Sequence, residues 1–149
     1  MDPLFVATPA EAEIAETLLM WPELGGLRVR PLLVSSFGDI FVEKASGEVW
    51  VVSPIELSCE RVAASVEDLQ RRFSDPEWAQ PRLLTEVALA VRDRGIHRPP
   101  DQVFAIAPHP QITGSIMDGT FVPMSLRLWH DLALQIRDQT SRSERGQRT

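Results

Sequence analysis

Asp39 stands directly after Gly38 at the head of a β-rich stretch that runs from Ser35 to Val52. A carboxylate beside a flexible glycine at a strand end is easily presented to a cleft, where it can serve as a general base or a metal ligand. The same pattern also builds a turn. Gly38 permits a bulge or the close approach of another segment, and Asp39 would accept hydrogen bonds from nearby backbone N–H groups. The turn accounts for these residues more simply. Three histidines are the next candidates for proton transfer: His97 in an arginine–proline loop, His109 between two prolines, and His130 after Trp129. None has a metal-ligand spacing, so they read as solvated or capping side chains. An enzyme would need the fold to bring Asp39 and His109 into one cleft.

Cys59 is the single cysteine. It can form no internal disulfide or thiolate metal cage, and beside a predicted strand it reads as a small buried hydrophobe. Ser115 follows Gly114 but lacks the flanking glycine pattern and strand-to-helix setting of a nucleophile elbow. Gly25-Gly26 follows a helix rather than a strand, unlike a dinucleotide or phosphate loop. Negative charge is what remains. Glu43 and Glu48 flank a turn at Ala45-Ser46-Gly47, Glu56 and Glu60 follow closely, and Trp50 on the same hairpin is a candidate anchor. Asp39, Glu43, Glu48, Trp50, Glu56 and Glu60 are therefore the candidate partner-binding residues, although a sheet edge guarded by charge explains the acids as well. Phe37, Phe41, Trp78 and Trp129 fall at strand or helix periodicity and read as core. No catalytic, cofactor-binding or metal-binding residue is assigned.

The elements that must position these residues are legible in outline. Thr8-Pro9-Ala10-Glu11 has the form of a capping box and predicts a helix to about Met20, with Ile14, Leu18 and Trp21 on its buried face. An extended segment at Leu27–Val34 carries Pro31, which indicates an edge or an interruption. Ile40–Val42 and Val49–Val52 form a hairpin, and a short strand near Leu57–Val62 extends it. Ser65 and Asp75 cap two short helices, and Leu83–Arg92 forms another that stops at Gly95. Val103–Ala107 is a buried strand; Ile112–Met117 and Thr120–Val122 are the arms of a second hairpin around Asp118-Gly119. Ser125 caps a last helix with Leu126, Trp129, Ala133 and Ile136 on one face. Strands in hairpins with helices around them predict one α+β domain over residues 1–138, built on a mainly antiparallel sheet. Residues 139–149 are polar and basic and predict a disordered tail.

The 149 residues carry a formal charge of −6, and Arg137 to Thr149 hold four arginines and two acids, leaving the body near −8. Such a body repels nucleic acid, which needs a basic stripe, and suits a basic protein partner. No apolar run is long enough for a membrane span, and no basic patch precedes an apolar leader. A cytoplasmic, reducing location is expected.

The order of several features is similar to that of a known family. Phe37-Gly38-Asp39-Ile40-Phe41, the strand with Trp50, Val103-Phe104-Ala105-Ile106-Ala107-Pro108, Gly114, and a closing helix with His130 and Gln135-Ile136 resemble the C-terminal domain of type VI secretion immunity proteins. The likeness covers about residues 30–138. In that family the domain often follows a GAD-like domain, for which the thirty or so residues before the match leave too little room. The usual paired glycines appear here as Thr113-Gly114. The resemblance implies a non-catalytic protein that binds and neutralises a co-produced toxin, typically a DNase effector. A peptide- or protein-binding adaptor of the wider SUKH group is the alternative binding role.

Overall fold

The hairpin that stands out in the sequence is the centre of the structure. A computed structural model describes residues 2–147, with side chains as far as Arg142. In it β3 (Ile40–Lys44) and β4 (Val49–Ser53) pair antiparallel, with Phe41 opposite Val51 and Val42 opposite Trp50. Gly47, at φ +90°, closes the turn by donating its N–H to the Lys44 carbonyl at 2.8 Å. β2 (Val29–Ser35) and β5 (Ser58–Ala63) flank the pair, and β1 (Val6–Ala7) adds a short outer strand to β2, giving one five-stranded meander in sequence order. Pro31 lies where β1 does not reach, and the register against β3 slips between Pro31 and Leu33. A residue without an N–H is tolerated there because no ladder bond is lost.

Both faces of this sheet are covered, which is why its central strands are apolar at successive positions rather than at alternate ones. On one face Ile40, Val42 and Val52 pack with Leu18 and Trp21 of the N-terminal segment and with Leu126 and Trp129 near the C-terminus. On the other, Phe41, Val49 and Val51 pack with Leu69, Phe73 and Trp78 from α2 (Val66–Phe73) and α3 (Pro76–Leu83). Phe73 stands edge-on to both Phe41 and Trp78, at 5.4 and 5.3 Å between centroids. β6 (Val103–Ala107) pairs with β7 (Thr120–Met124) as a separate two-stranded sheet. The molecule is thus a single α+β domain with two antiparallel sheets flanked by helices.

Local signals held where no distant group competed. Ser65 caps α2 by accepting from Asp68 N–H at 3.0 Å, and Asp75 caps α3 by accepting from Glu77 N–H at 3.0 Å. At the N-terminus the expected capping box does not form. Helix α1 (Glu11–Leu19) begins two residues late, with Ala10 at the cap, because Thr8 is drawn away: its N–H donates to the Pro100 carbonyl at 2.8 Å. The helix read at Leu83–Arg92 starts instead at Thr85 as α4 (Thr85–Asp93), after a left-handed Leu84 that breaks it from α3. The second hairpin exists, but its arms are β6 and β7. Residues 112–117, read as an arm, form the short helix α5 (Pro110–Thr113) and a 3-10 turn at Ile116–Asp118.

The last helix, α6 (Leu126–Gln147), is 22 residues long and continues beyond residue 138. The disordered tail expected from 139 is therefore helical as far as Gln147, and residues 148–149 lie outside the described part. Arg137, counted with that tail, is bonded to both carboxylate oxygens of Glu23 at 2.6 and 3.1 Å and lies over the Trp21 ring. No helix among the described residues is long and apolar enough to cross a membrane.

Candidate functional site

The turn from β2 to β3 is held from outside by α6. Phe37 is almost wholly buried against Phe104 and Phe121, a burial worth about 2–3 kcal/mol. Its carbonyl accepts from Trp129 Nε1 at 3.0 Å, and the next carbonyl, of Gly38, accepts from His130 Nε2 at 2.6 Å. Trp21 Nε1 donates to the other ring nitrogen of His130 at 2.9 Å. These partners fix His130 as the neutral tautomer with its proton on Nε2. Burial drives its pKa down to about 4, against a smaller upward pull from the bond to Gly38. Gly38 adopts φ +93°, and a Cβ there would come within 2.7 Å of Trp129 Cδ1. The close approach read from this glycine is that of the Trp129 indole.

Asp39, one residue on, is in the opposite condition. Its carboxylate does not tie down the turn. The Ser35 hydroxyl does so, accepting the Asp39 N–H at 3.0 Å, while Ser35 N–H donates to the Asp39 carbonyl at 2.8 Å. Asp39 Oδ1 is sealed from solvent and receives no hydrogen bond. A buried acceptor left so costs about 1–3 kcal/mol. Burial lifts the Asp39 pKa to about 7; the Ser53 hydroxyl opposes this, Glu56 adds to it and Arg82 subtracts from it.

Alternation along β3–β5 places Asp39 beside Phe41, Val51, Ser53, Ser58 and Glu60 on the face that carries α2 and α3. Those helices cover only part of it. Beyond the end of α3 lies a recess of about 530 Å³, lined by these residues together with Ile55, Glu56, Pro81, Arg82, Leu84 and Ile116. Glu56 and Glu60 are exposed, whereas Asp39 is half-buried with Oδ1 sealed from solvent. The rim includes Leu84, and Leu57 follows Glu56; both take left-handed backbone, which costs a non-glycine residue on the order of 1 kcal/mol.

Three of the six residues singled out in the sequence, Asp39, Glu56 and Glu60, therefore meet in one recess. The others do not join them. Glu43 bonds Arg30 across the strands at 2.9 Å, and Glu48 bonds Arg61 at 2.7 Å. Trp50 projects to the opposite face, half-buried against the main core with Lys44 Nζ 3.5 Å from its ring centroid, and so lies apart from the recess. A larger depression of about 820 Å³, between Met20, Glu23, Asp131 and Arg137, includes the Glu23–Arg137 pair already described. Arg137 holds the Glu23 carboxyl below its ordinary value.

His109 is not among the residues lining the recess. It caps α5, accepting Gln111 N–H on Nδ1 at 3.0 Å, and donates from Nε2 to the Pro54 carbonyl at 2.6 Å. Both ring nitrogens are engaged, and burial lowers its pKa. His97 is exposed. Cys59 packs against the main core, where burial raises its thiol pKa, as for a small hydrophobe rather than a nucleophile. No group of three or more His, Cys, Asp or Glu side chains among the described residues could hold a metal ion.

Sequence reasoning passed over Ser53, Ser58 and Arg82 in the recess, and it placed Trp21 in the core without its bond to His130. It also passed over Arg98, read as part of a connector. Arg98 reaches the carbonyls of Pro3, Val6 and Gln102 and the Ser36 hydroxyl, at 2.9, 2.8, 3.0 and 2.6 Å, and so clamps the N-terminal strand to β2. Strand alternation from Asp39 could have found the serines; nothing local marks the Trp21–His130 bond or Arg98. Comparison with family models, curated proteins and solved structures returned no match for this chain.

Proposed function

We propose that this chain is an inhibitor of the immunity type, which binds a basic toxin in the cytoplasm and blocks it by covering its working surface. The convergence of Asp39, Glu56 and Glu60 on one recess is the observation that carries this reading. A nuclease must present positive charge to hold phosphates, and an acidic recess complements such a surface, speeding association and fixing orientation. Nuclease is the toxin class that the resemblance to type VI immunity domains implies. The body's negative charge, on a chain of net −6, adds a long-range attraction to the same partner. Inhibition of this kind needs no chemistry from the inhibitor. Occupying the phosphate path suffices.

Co-expression tests the reading. A secreted nuclease encoded beside this gene should kill a host alone and spare it when this chain is present, and the two should form a 1:1 complex that weakens as salt rises. Absence of protection would overturn the proposal. Capture of a partner without any effect on toxicity would move the chain to the adaptor class.

A further inference from the structure

Among the described residues, two buried side-chain polar atoms lack a hydrogen-bond partner: Trp50 Nε1 and Asp39 Oδ1. Asp39 lines a recess, and that recess is graded along its depth. Ser53 is buried and Asp39 half-buried with its Oδ1 sealed, Phe41, Val51, Ile55 and Leu84 supply apolar wall, and Glu56 and Glu60 reach solvent. A long side chain with an apolar stem and a charged end matches this order, since its methylenes lie along the wall while its donors meet the carboxylate. We propose that the recess receives a lysine or arginine side chain from the partner protein, its charged end meeting the Asp39 carboxylate on the side that is open to the recess. This rests on the inhibitor reading for the identity of the partner, though not for the chemistry of the site.

Arg82 is the internal competitor. It lines the same recess, but its guanidinium stands 5.1 Å from the centroid of the Trp78 ring and makes no ion pair with the three acids. The groups facing Asp39 are then Glu56 and Glu60 from the sheet side, Arg82 from α3, and the hydroxyls of Ser53 and Ser58. A cation entering among them favours the ionised carboxylate, so binding releases a proton and tightens as pH rises through 7.

The test is an NMR titration of the full chain with N-acetyl-argininamide and N-acetyl-lysinamide, with N-acetyl-citrullinamide as the uncharged control and free arginine as the small-molecule alternative. Saturable shifts are expected at the amides of Asp39, Ser53 and Ser58, stronger at pH 8 than at pH 5.5, with citrulline about tenfold weaker. Free arginine should bind no more tightly than its blocked form, because a site built for a side chain on a polypeptide engages only the guanidinium and its stem. Asp39→Asn should abolish the response with the spectrum otherwise native, Glu60→Gln should weaken it, and Arg82→Ala should strengthen it. No saturable shift, an equal response to citrulline, tighter binding of free arginine, or an unaltered response in Asp39→Asn would each overturn the proposal. The two readings can fail separately. If the amides bind but no nuclease is neutralised, the inhibitor reading falls and the cation site stands; if Asp39→Asn neutralises a nuclease as well as the native chain, the reverse holds.

Discussion

Adjacent residues of one turn meet opposite fates. The carbonyls of Phe37 and Gly38 are each matched by a ring N–H from α6, and His130 is matched again by Trp21, so this side of the turn is buried and fully bonded. Asp39 on the other side is half-buried, and its sealed Oδ1 lacks a partner. A saturated polar network stabilises a fold, whereas an unsatisfied one burdens it unless something else completes it. The contrast separates what maintains the domain from what is available for binding.

Breaking the saturated side should have the largest effect. His130→Ala removes a buried ring and orphans both the Trp21 indole N–H and the Gly38 carbonyl, so a loss of about 4 kcal/mol is expected in denaturant unfolding. Gly38→Ala comes next, at about 3 kcal/mol, because its Cβ would strike Trp129 in a backbone conformation that alanine disfavours. A native midpoint in either variant would remove the network from the account of stability.

Relieving the unsatisfied side should act in the opposite direction. The folded-state pKa of Asp39 is raised to about 7, so between its ordinary value and 7 the native state holds the extra proton and stability falls as pH rises. Asp39→Asn should therefore stabilise the protein by about 2 kcal/mol at pH 8 and change it little at pH 4.5. His130 has the reverse sign. Its pKa is lowered to about 4, so the unfolded state binds more protons below about 6.5 and stability is lost as pH falls toward 4, with His109 adding in the same sense. The slopes oppose each other between about pH 4 and 6.5. Asp39→Asn should unmask a steeper loss on acidification, measured as melting temperature against pH; a profile parallel to the native one would dissociate Asp39 from this balance.

The smallest effect belongs to the acids outside the recess. Glu43→Gln and Glu48→Gln break surface pairs with Arg30 and Arg61 and should each cost less than about 0.5 kcal/mol. Neither should alter the titration with N-acetyl-argininamide.

What the sequence made legible follows the range of the interaction. Ser65 and Asp75 could be recognised as caps because donor and acceptor lie within three residues, and the β3–β4 hairpin because its turn and alternation are contiguous. Thr8 was misread because its partner, Pro100, is 92 positions away. The partners of Glu43 and Glu48 depend on strand register, and Trp50 turned inward because that face is covered by helices no local pattern could place. The acidic character of the site was visible in composition; the sorting of Asp39, Glu56 and Glu60 from Glu43 and Glu48 needed the third dimension.

The meander joins neighbours in sequence, while the bonds that fasten its first turn come from Trp129 and His130, 92 positions later. On the ribosome the five strands emerge and can pair well before α6 is made, since local contacts form early and distant ones late. Until α6 emerges, the nascent sheet carries an open seam at Phe37 and Gly38. A chain truncated before Ser125 would keep that seam permanently, with the Phe37 and Gly38 carbonyls unmatched and the core residues that Leu126 and Trp129 cover open to any neighbouring polypeptide.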